Sequence, residues 1–208
     1  IEALLLKKSA IILAGGFSKR FGQDKGLVKL AGKTLILYVI EGISSVVNET
    51  LVVASSSEQR EAFEPLIGGR AKVVIDEHEP QSPLVGALTG FEKAQGECSM
   101  LLPCDTPFIS KEIASLLLDL CIKRNAVIPR WPNGYIEPLQ AAYRTKPALV
   151  AAEKALKQGK LNLQSMIDHL KEIRYISTLV LQQMDPRLLT FFNVNTPEDL
   201  KKAESTLK

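Results

Sequence analysis

The sequence predicts an α/β fold of three layers, a mostly parallel central sheet with helices on both faces. Three observations predict it. Short apolar runs recur through the first half of the chain, at 10–14, 50–54, 71–75 and 100–104. Runs that are continuous rather than alternating mark strands buried on both faces. Between them lie stretches with helical spacing and helix-start residues, the alternation that gives βα units around a parallel sheet. Lastly, the runs end at Gly15, Ser55, Asp76 and Asp105. Right-handed crossovers bring all such ends to one edge, where open α/β sheets bind ligands.

The first run, Ala10 to Ala14, stops at Gly15 and Gly16, which let the backbone turn and let a ligand approach bare N–H groups. Thr34 is placed to cap a helix over 35–44, with Leu35, Tyr38, Val39, Gly42, Ile43 and Val46 at helical spacing. A strand at 50–54 leads to a short polar helix ending near Phe63, and the strand at 71–75 ends at Asp76. Ser82 and Pro83 open the next helix, with proline at its first position. After the strand at 100–104, Ser110 caps a helix over 111–124. The second half is less regular. Strands are expected at 126–128, 139–143, 173–176 and 189–194, and helices at 147–158, closed by Gly159, and at 162–170. Thr196, Pro197, Glu198 and Asp199 form a strong helix start, and Leu200, Ala203 and Leu207 of that helix, which runs to about 206, are expected to face inward.

A chain of 208 residues with 46% hydrophobic and 24% charged residues has the size and balance of a one-domain globular protein. A net charge of +3 is too small to argue for nucleic acid or a membrane surface. Cys98, Cys104 and Cys121 are odd in number and lack C-x-x-C spacing, so they read as buried thiols of a reducing compartment. The apolar piece at 3–6 is too short for a signal or a membrane span, and a cytoplasmic location is expected. His78 and His169 have no ligand-spaced neighbour and read as structural or solvated.

Lys19, Arg20 and Lys25 follow the glycines, and cations beside bare N–H groups suit a polyphosphate. Two decoys fall away. Gly32-Lys33-Thr34 looks like the end of a Walker A loop, but that motif has four residues between its glycines and Gly26 to Gly32 leaves five. Gly15-Gly16 is not G-x-G-x-x-G either. The full string from Leu13 to Lys25, L-A-G-G-x-S-x-R-x-G-x-D-K, resembles the signature of nucleotidyltransferases that activate small phosphorylated molecules, above all the molybdenum cofactor guanylyltransferases, the MobA family. The resemblance extends from Ala10 to about Ala203 and implies one Rossmann-like nucleotidyltransferase domain over 1–208. Within it, about 10–107 would form the nucleotide-binding half and about 108–208 the acceptor-binding half. It also implies that Leu13, Ala14, Gly15 and Gly16 wrap the triphosphate, which Lys25 and Arg20 neutralise.

Two further strings support it. Pro103-Cys104-Asp105-Thr106-Pro107 holds an Asp rigidly at a strand end, as a Mg²⁺ ligand beside phosphates requires; taken alone such an Asp is more often a turn residue. It resembles the family's metal motif. Asn193-Val194-Asn195-Thr196-Pro197-Glu198-Asp199-Leu200 resembles the family's C-terminal motif. Capping explains Thr196 to Asp199 but neither asparagine; the resemblance implies that the asparagines face nucleotide and metal, which makes Asn195, whose amide oxygen a hard cation accepts, the second metal candidate. Asn193 supports it and is counted with the acceptor-binding residues, the two sharing a face if 189–194 is a strand. Asp76 and Ser55 would line the nucleoside pocket. Ser82 and Val85 replace the Gly and Ala of the family's G-P-L-A-G, and Ser55 and Ser56 stand where an Asn is frequent.

On the acceptor side, Glu137-Pro138-Leu139-Gln140 resembles the family segment, with Gln140 where His is frequent. Arg130 and Trp131 suit a flat anionic acceptor by pairing and stacking, and a surface Arg and half-buried Trp are equally ordinary. The reaction implied is transfer of GMP from GTP, with Mg²⁺, to the phosphate of molybdopterin or its metal-loaded form, catalysed by Lys25, Arg20 and Asp105, with pyrophosphate leaving. Cofactor insertion and delivery proteins would be further partners. The alternatives are CTP or another acceptor, such as a sugar phosphate or adenosylcobinamide phosphate, on the same fold, or a non-catalytic nucleotide-binding module.

Overall fold

The computed structural model describes residues 6–15, 17–18 and 21–207. Gly16, Lys19 and Arg20, three of the expected phosphate-binding residues, lie outside the described residues. In chain order, β1 (Lys8–Leu13) leads into paired two-residue rungs β2 (Phe17–Ser18) and β3 (Gln23–Asp24). A 3₁₀ turn at Lys25–Leu27 and the rungs β4 (Lys29–Leu30) and β5 (Lys33–Thr34) precede α1 (Leu35–Ile43). There follow β6 (Glu49–Ala54), α2 (Ser57–Ile67), β7 (Lys72–Ile75), α3 (Pro83–Lys93), β8 (Cys98–Pro103) and α4 (Lys111–Cys121). The second half holds β9 (Ala126–Arg130), β10 (Ala141–Arg144), α5 (Thr145–Lys157), α6 (Leu163–Ile167), β11 (Ile173–Ser177), α7 (Thr178–Leu181) and α8 (Pro197–Thr206).

Seven strands form one sheet in the order β11-β9-β10-β8-β1-β6-β7. Every pairing is parallel except those of β10, which runs antiparallel to both β8 and β9. β1 is central and buries its side chains alternately on the two faces. Ile12 packs with α1, α2 and α4 through Ile36, Phe63 and Leu117. Ile11 packs on the other side with α3, α5 and α6 through Phe91, Ala152 and Met166. The three layers are thus as expected. A Cβ on Gly90 would run into Ile11, so glycine there lets α3 lie close against β1. No helix among the described residues is long and apolar enough to cross a membrane.

Several expected elements differ. Thr34 sits at the N-cap of α1 but its side chain does not cap; its hydroxyl oxygen is buried without a partner among the described residues. The Leu35 N–H donates instead to the Val28 carbonyl at 2.9 Å. The polar helix after β6 extends to Ile67 and contains Pro65, the helix expected from 147 starts at Thr145, and the one expected over 162–170 shrinks to α6, with Asn162 as its cap. The strand expected at 139–143 starts only at Ala141, because Gln140 has a left-handed backbone with φ 73°. No strand forms at 189–194. Leu188 turns left-handed at φ 49°, Leu189–Phe191 make a 3₁₀ turn, and the segment crosses above the strand ends, where the Val194 N–H donates to the Asp105 carbonyl at 2.9 Å. In α8, Ala203 is buried but Leu207 is 43% exposed rather than turned inward.

Candidate active site

The ends of β1, β6, β7 and β8 open onto one cavity of about 450 Å³. At the β8 end of it three distant segments meet. The 3₁₀ turn presents Lys25, whose Nζ donates to Asp105 Oδ2 at 2.9 Å and to Asn195 Oδ1 at 2.6 Å. Asp105 follows β8 and is 6% exposed. Its Oδ1 is buried with no hydrogen-bond partner among the described residues, an acceptor whose desolvation is uncompensated. Asn195 is fixed by α8, since Asp199 Oδ2 accepts from the backbone N–H of both Asn195 and Thr196. The same carboxylate completes a capping box with Thr196. Gly15 stands exposed at the end of β1, beside Ser55 at the end of β6.

The far end of the cavity is organised by a residue that motif reading passed over. Gln59, buried on the first turn of α2, donates to the Ala14 carbonyl at 3.0 Å and accepts from the Ser55 N–H at 2.7 Å. It ties the ends of β1 and β6 together. Its only sequence signal is a polar residue five positions beyond a strand end. Asp76 Oδ1 accepts from the Thr89 hydroxyl at 2.7 Å and the His78 N–H at 3.3 Å. Gln81 and Ser82 complete the rim.

A second cavity of about 640 Å³ adjoins the first, sharing Pro83, Pro103 and Leu139 with it. Tyr135, Glu137, Gln140, Gln164 and Asn193 are among its walls. The two asparagines therefore part company: Asn195 faces Lys25 and Asn193 the second cavity. Gln140 is 4% exposed and donates from Nε2 to the Thr190 carbonyl at 2.6 Å. Trp131 lines neither cavity; its Nε1 donates to Glu137 at 2.7 Å and its ring packs edge-on against Phe191 at 5.7 Å. Burial raises the Glu137 carboxyl above its ordinary pKa, and the Trp131 bond partly offsets this. Arg130 is exposed at the end of β9, 5.6 Å from the Tyr175 ring centroid. Tyr135, 63% exposed, is the aromatic ring that does face the cavity; an N-G-Y turn was its signal.

Charge and chemistry narrow what the first cavity can do. Burial, then the Asp105 charge, pushes the Cys104 thiol well above its ordinary pKa, so it is no nucleophile. What remains is a lysine, a carboxylate and an amide oxygen beside the exposed Gly15. Among the described residues there is no cluster of three or more His, Cys, Asp or Glu fit for a metal. Asp105 Oδ1 and Asn195 Oδ1 nonetheless suit a hard cation that takes most of its ligands from phosphates and water.

A mostly parallel sheet with these groups at its ligand-binding edge is the architecture of a nucleotidyltransferase. The chain belongs to the MobA-like NTP transferase domain family, whose model matches residues 10–173. It is 36% identical over 206 residues to a probable molybdenum cofactor guanylyltransferase of Natranaerobius thermophilus, covering 96% of each chain. It is 32% identical to one from Methanosarcina mazei, covering 93% of this chain and 88% of the relative. The crystal structure of molybdopterin-guanine dinucleotide biosynthesis protein A from Archaeoglobus fulgidus superposes with a TM-score of 0.79 at 28% identity, over 96% of this chain and 98% of that one.

Proposed function

We propose that this nucleotidyltransferase moves GMP from GTP to the phosphate of molybdopterin, giving a guanine dinucleotide cofactor and pyrophosphate. The observation that carries the reading is the meeting of Lys25, Asp105 and Asn195 beside Gly15, supported by the relatives' names. The triphosphate lies over the end of β1, where bare N–H groups bind it. Lys25 stabilises charge that develops on the transferring group and on pyrophosphate, and Arg20 shares that task. Asp105 and Asn195 would hold Mg²⁺, which when bound supplies charge neutralisation at the phosphates. No general base is required, because a phosphate oxygen is already anionic at neutral pH.

The acceptor occupies the second cavity, where Asn193 offers an amide, Tyr135 a ring and Arg130 a cation near the rim. Trp131 and Gln140 act there by holding the walls. The division into a nucleotide half and an acceptor half is crossed where Asn195 reaches Lys25 and Val194 meets Asp105 from the C-terminal segment, and where the two cavities share Pro83, Pro103 and Leu139. Three free, buried cysteines support a reducing, cytoplasmic setting. The test is to incubate the protein with Mg²⁺, molybdopterin and each of GTP, CTP, UTP and ATP. Pyrophosphate release and the product mass are then measured. Release with GTP alone and a guanine dinucleotide mass are expected; a cytosine dinucleotide, or no pyrophosphate from any triphosphate, overturns the reading.

A further inference from the structure

We propose that Gln81 reads the 2-amino group of the guanine base and so sets nucleotide preference in this chain. The inference rests on the reading of GTP as donor. Position along the sheet decides which end of the first cavity takes the base. The strand ends carrying Asp105, Gly15, Ser55 and Asp76 belong to β8, β1, β6 and β7, which are successive neighbours. Neighbouring strands lie about 4.8 Å apart, so with phosphates at Lys25 and Asp105 the ends of β6 and β7 stand roughly 10–15 Å away. That is the reach of a nucleoside beyond its phosphates.

At that end Ser55 is already committed. Its N–H and hydroxyl both donate to Gln59 Oε1, at 2.7 and 3.2 Å, and its carbonyl accepts from Gln81 Nε2 at 2.6 Å. Gln81 is exposed and lines the cavity. A carbonyl can only face the nitrogen of an amide, so this bond fixes which end of the side chain is spent. Oε1 makes no hydrogen bond among the described residues and remains as an acceptor. Asp76 supplies a second one. Its Oδ1 holds Thr89 and His78, while Oδ2 lies 3.8 Å from a Cβ placed on Gly86, on the cavity wall. A carboxylate and an amide oxygen at one end of a cavity suit guanine, whose N1–H and 2-amino group are adjacent donors. Adenine and cytosine set an unprotonated ring nitrogen beside their one amino group, and its lone pair would face an acceptor. The carboxylate takes N1–H and Gln81 takes the 2-amino group.

Inosine triphosphate, which lacks only the 2-amino group, isolates the Gln81 contact. Pyrophosphate release with molybdopterin and Mg²⁺ is measured for GTP and for inosine triphosphate, in the unaltered chain and in Gln81→Ala. The unaltered chain is expected to favour GTP about tenfold in kcat/KM, the size of one lost hydrogen bond. In Gln81→Ala the preference should fall to within about twofold of unity, through a higher KM for GTP with little change for inosine triphosphate. Discrimination that survives in Gln81→Ala, an equal loss for both nucleotides, or indifference in the unaltered chain overturns the assignment. If the unaltered chain uses neither purine nucleotide but does use another triphosphate, the reading of GTP as donor fails first, and this inference with it.

Discussion

Lys25 pairs with both residues proposed to hold Mg²⁺. Its ammonium sits between two oxygens, Asp105 Oδ2 and Asn195 Oδ1. It balances the charge of a carboxylate that is nine-tenths removed from water, a burden that isolated carboxylates do not tolerate. Asp105 and Asn195 would hold the proposed Mg²⁺, which would supply charge neutralisation there and leave the Lys25 ammonium for the phosphates. Lys25→Ala should therefore lower kcat/KM for the triphosphate by about a hundredfold or more, roughly 2–4 kcal/mol on the scale of a lost electrostatic donor. Unchanged steady-state kinetics would remove Lys25 from the reaction. Asp105→Asn keeps shape and polarity and loses one charge. It should fold, with a urea midpoint near that of the parent, while transfer drops by more than about a hundredfold at millimolar Mg²⁺. Full activity at ordinary Mg²⁺ would exclude Asp105 as a metal ligand.

Among the elements, those with local causes were legible in advance. Buried runs named β1, β6, β7 and β8, and Ser82, Ser110 and Thr196 each cap the helix they were expected to cap. What could not be read was set by contacts across the fold. The late start of β10 follows from the left-handed Gln140, whose amide reaches the Thr190 carbonyl 50 residues away. The missing strand at 189–194 follows from bonds to Asp105 and Gln140 that compete with sheet pairing. The metal candidates were found as motifs, but only the fold shows that Asn193 lines the second cavity while Asn195 faces Lys25. Helix α8 offers a test of the cap that also holds Asn195. Asp199 is kept below its ordinary pKa first by the Thr196 hydroxyl, against slight burial, with the Asn195 and Thr196 N–H groups helping. A depressed carboxyl stabilises the fold above its unfolded pKa of about 3.9, and that contribution is lost as pH falls through the lower folded value. Thr196→Ala should cost about 1 kcal/mol in urea unfolding at neutral pH. The gap from the parent should narrow near pH 3 as Asp199 protonates. A gap independent of pH would mean that the hydroxyl acts through the backbone alone.

At the scale of the whole molecule, one sheet edge carries two cavities that meet at Pro83, Pro103 and Leu139, and a single returning segment governs both. That segment, 188–195, is anchored where Gln140 and the Ser110 N–H bond Thr190, where Asp185 Oδ2 accepts the Thr190 N–H, and where Val194 meets Asp105. It sets Asn193 into the second cavity and Asn195 against Lys25, which lines the first. Loosening the anchor should then disturb both substrates, whereas trimming a wall of the second cavity should disturb one. Gln140→Ala leaves the Thr190 carbonyl without its partner and should destabilise the fold by about 1–3 kcal/mol. It should also weaken GTP binding, measured by calorimetry without acceptor, along with raising the KM for molybdopterin. Tyr135→Ala removes an exposed ring and should leave stability within about 0.5 kcal/mol. Its KM for molybdopterin should rise about tenfold, with GTP affinity unchanged within about twofold. If Gln140→Ala changes only the acceptor KM, Gln140 is a wall residue like Tyr135, and the returning segment does not couple the two cavities.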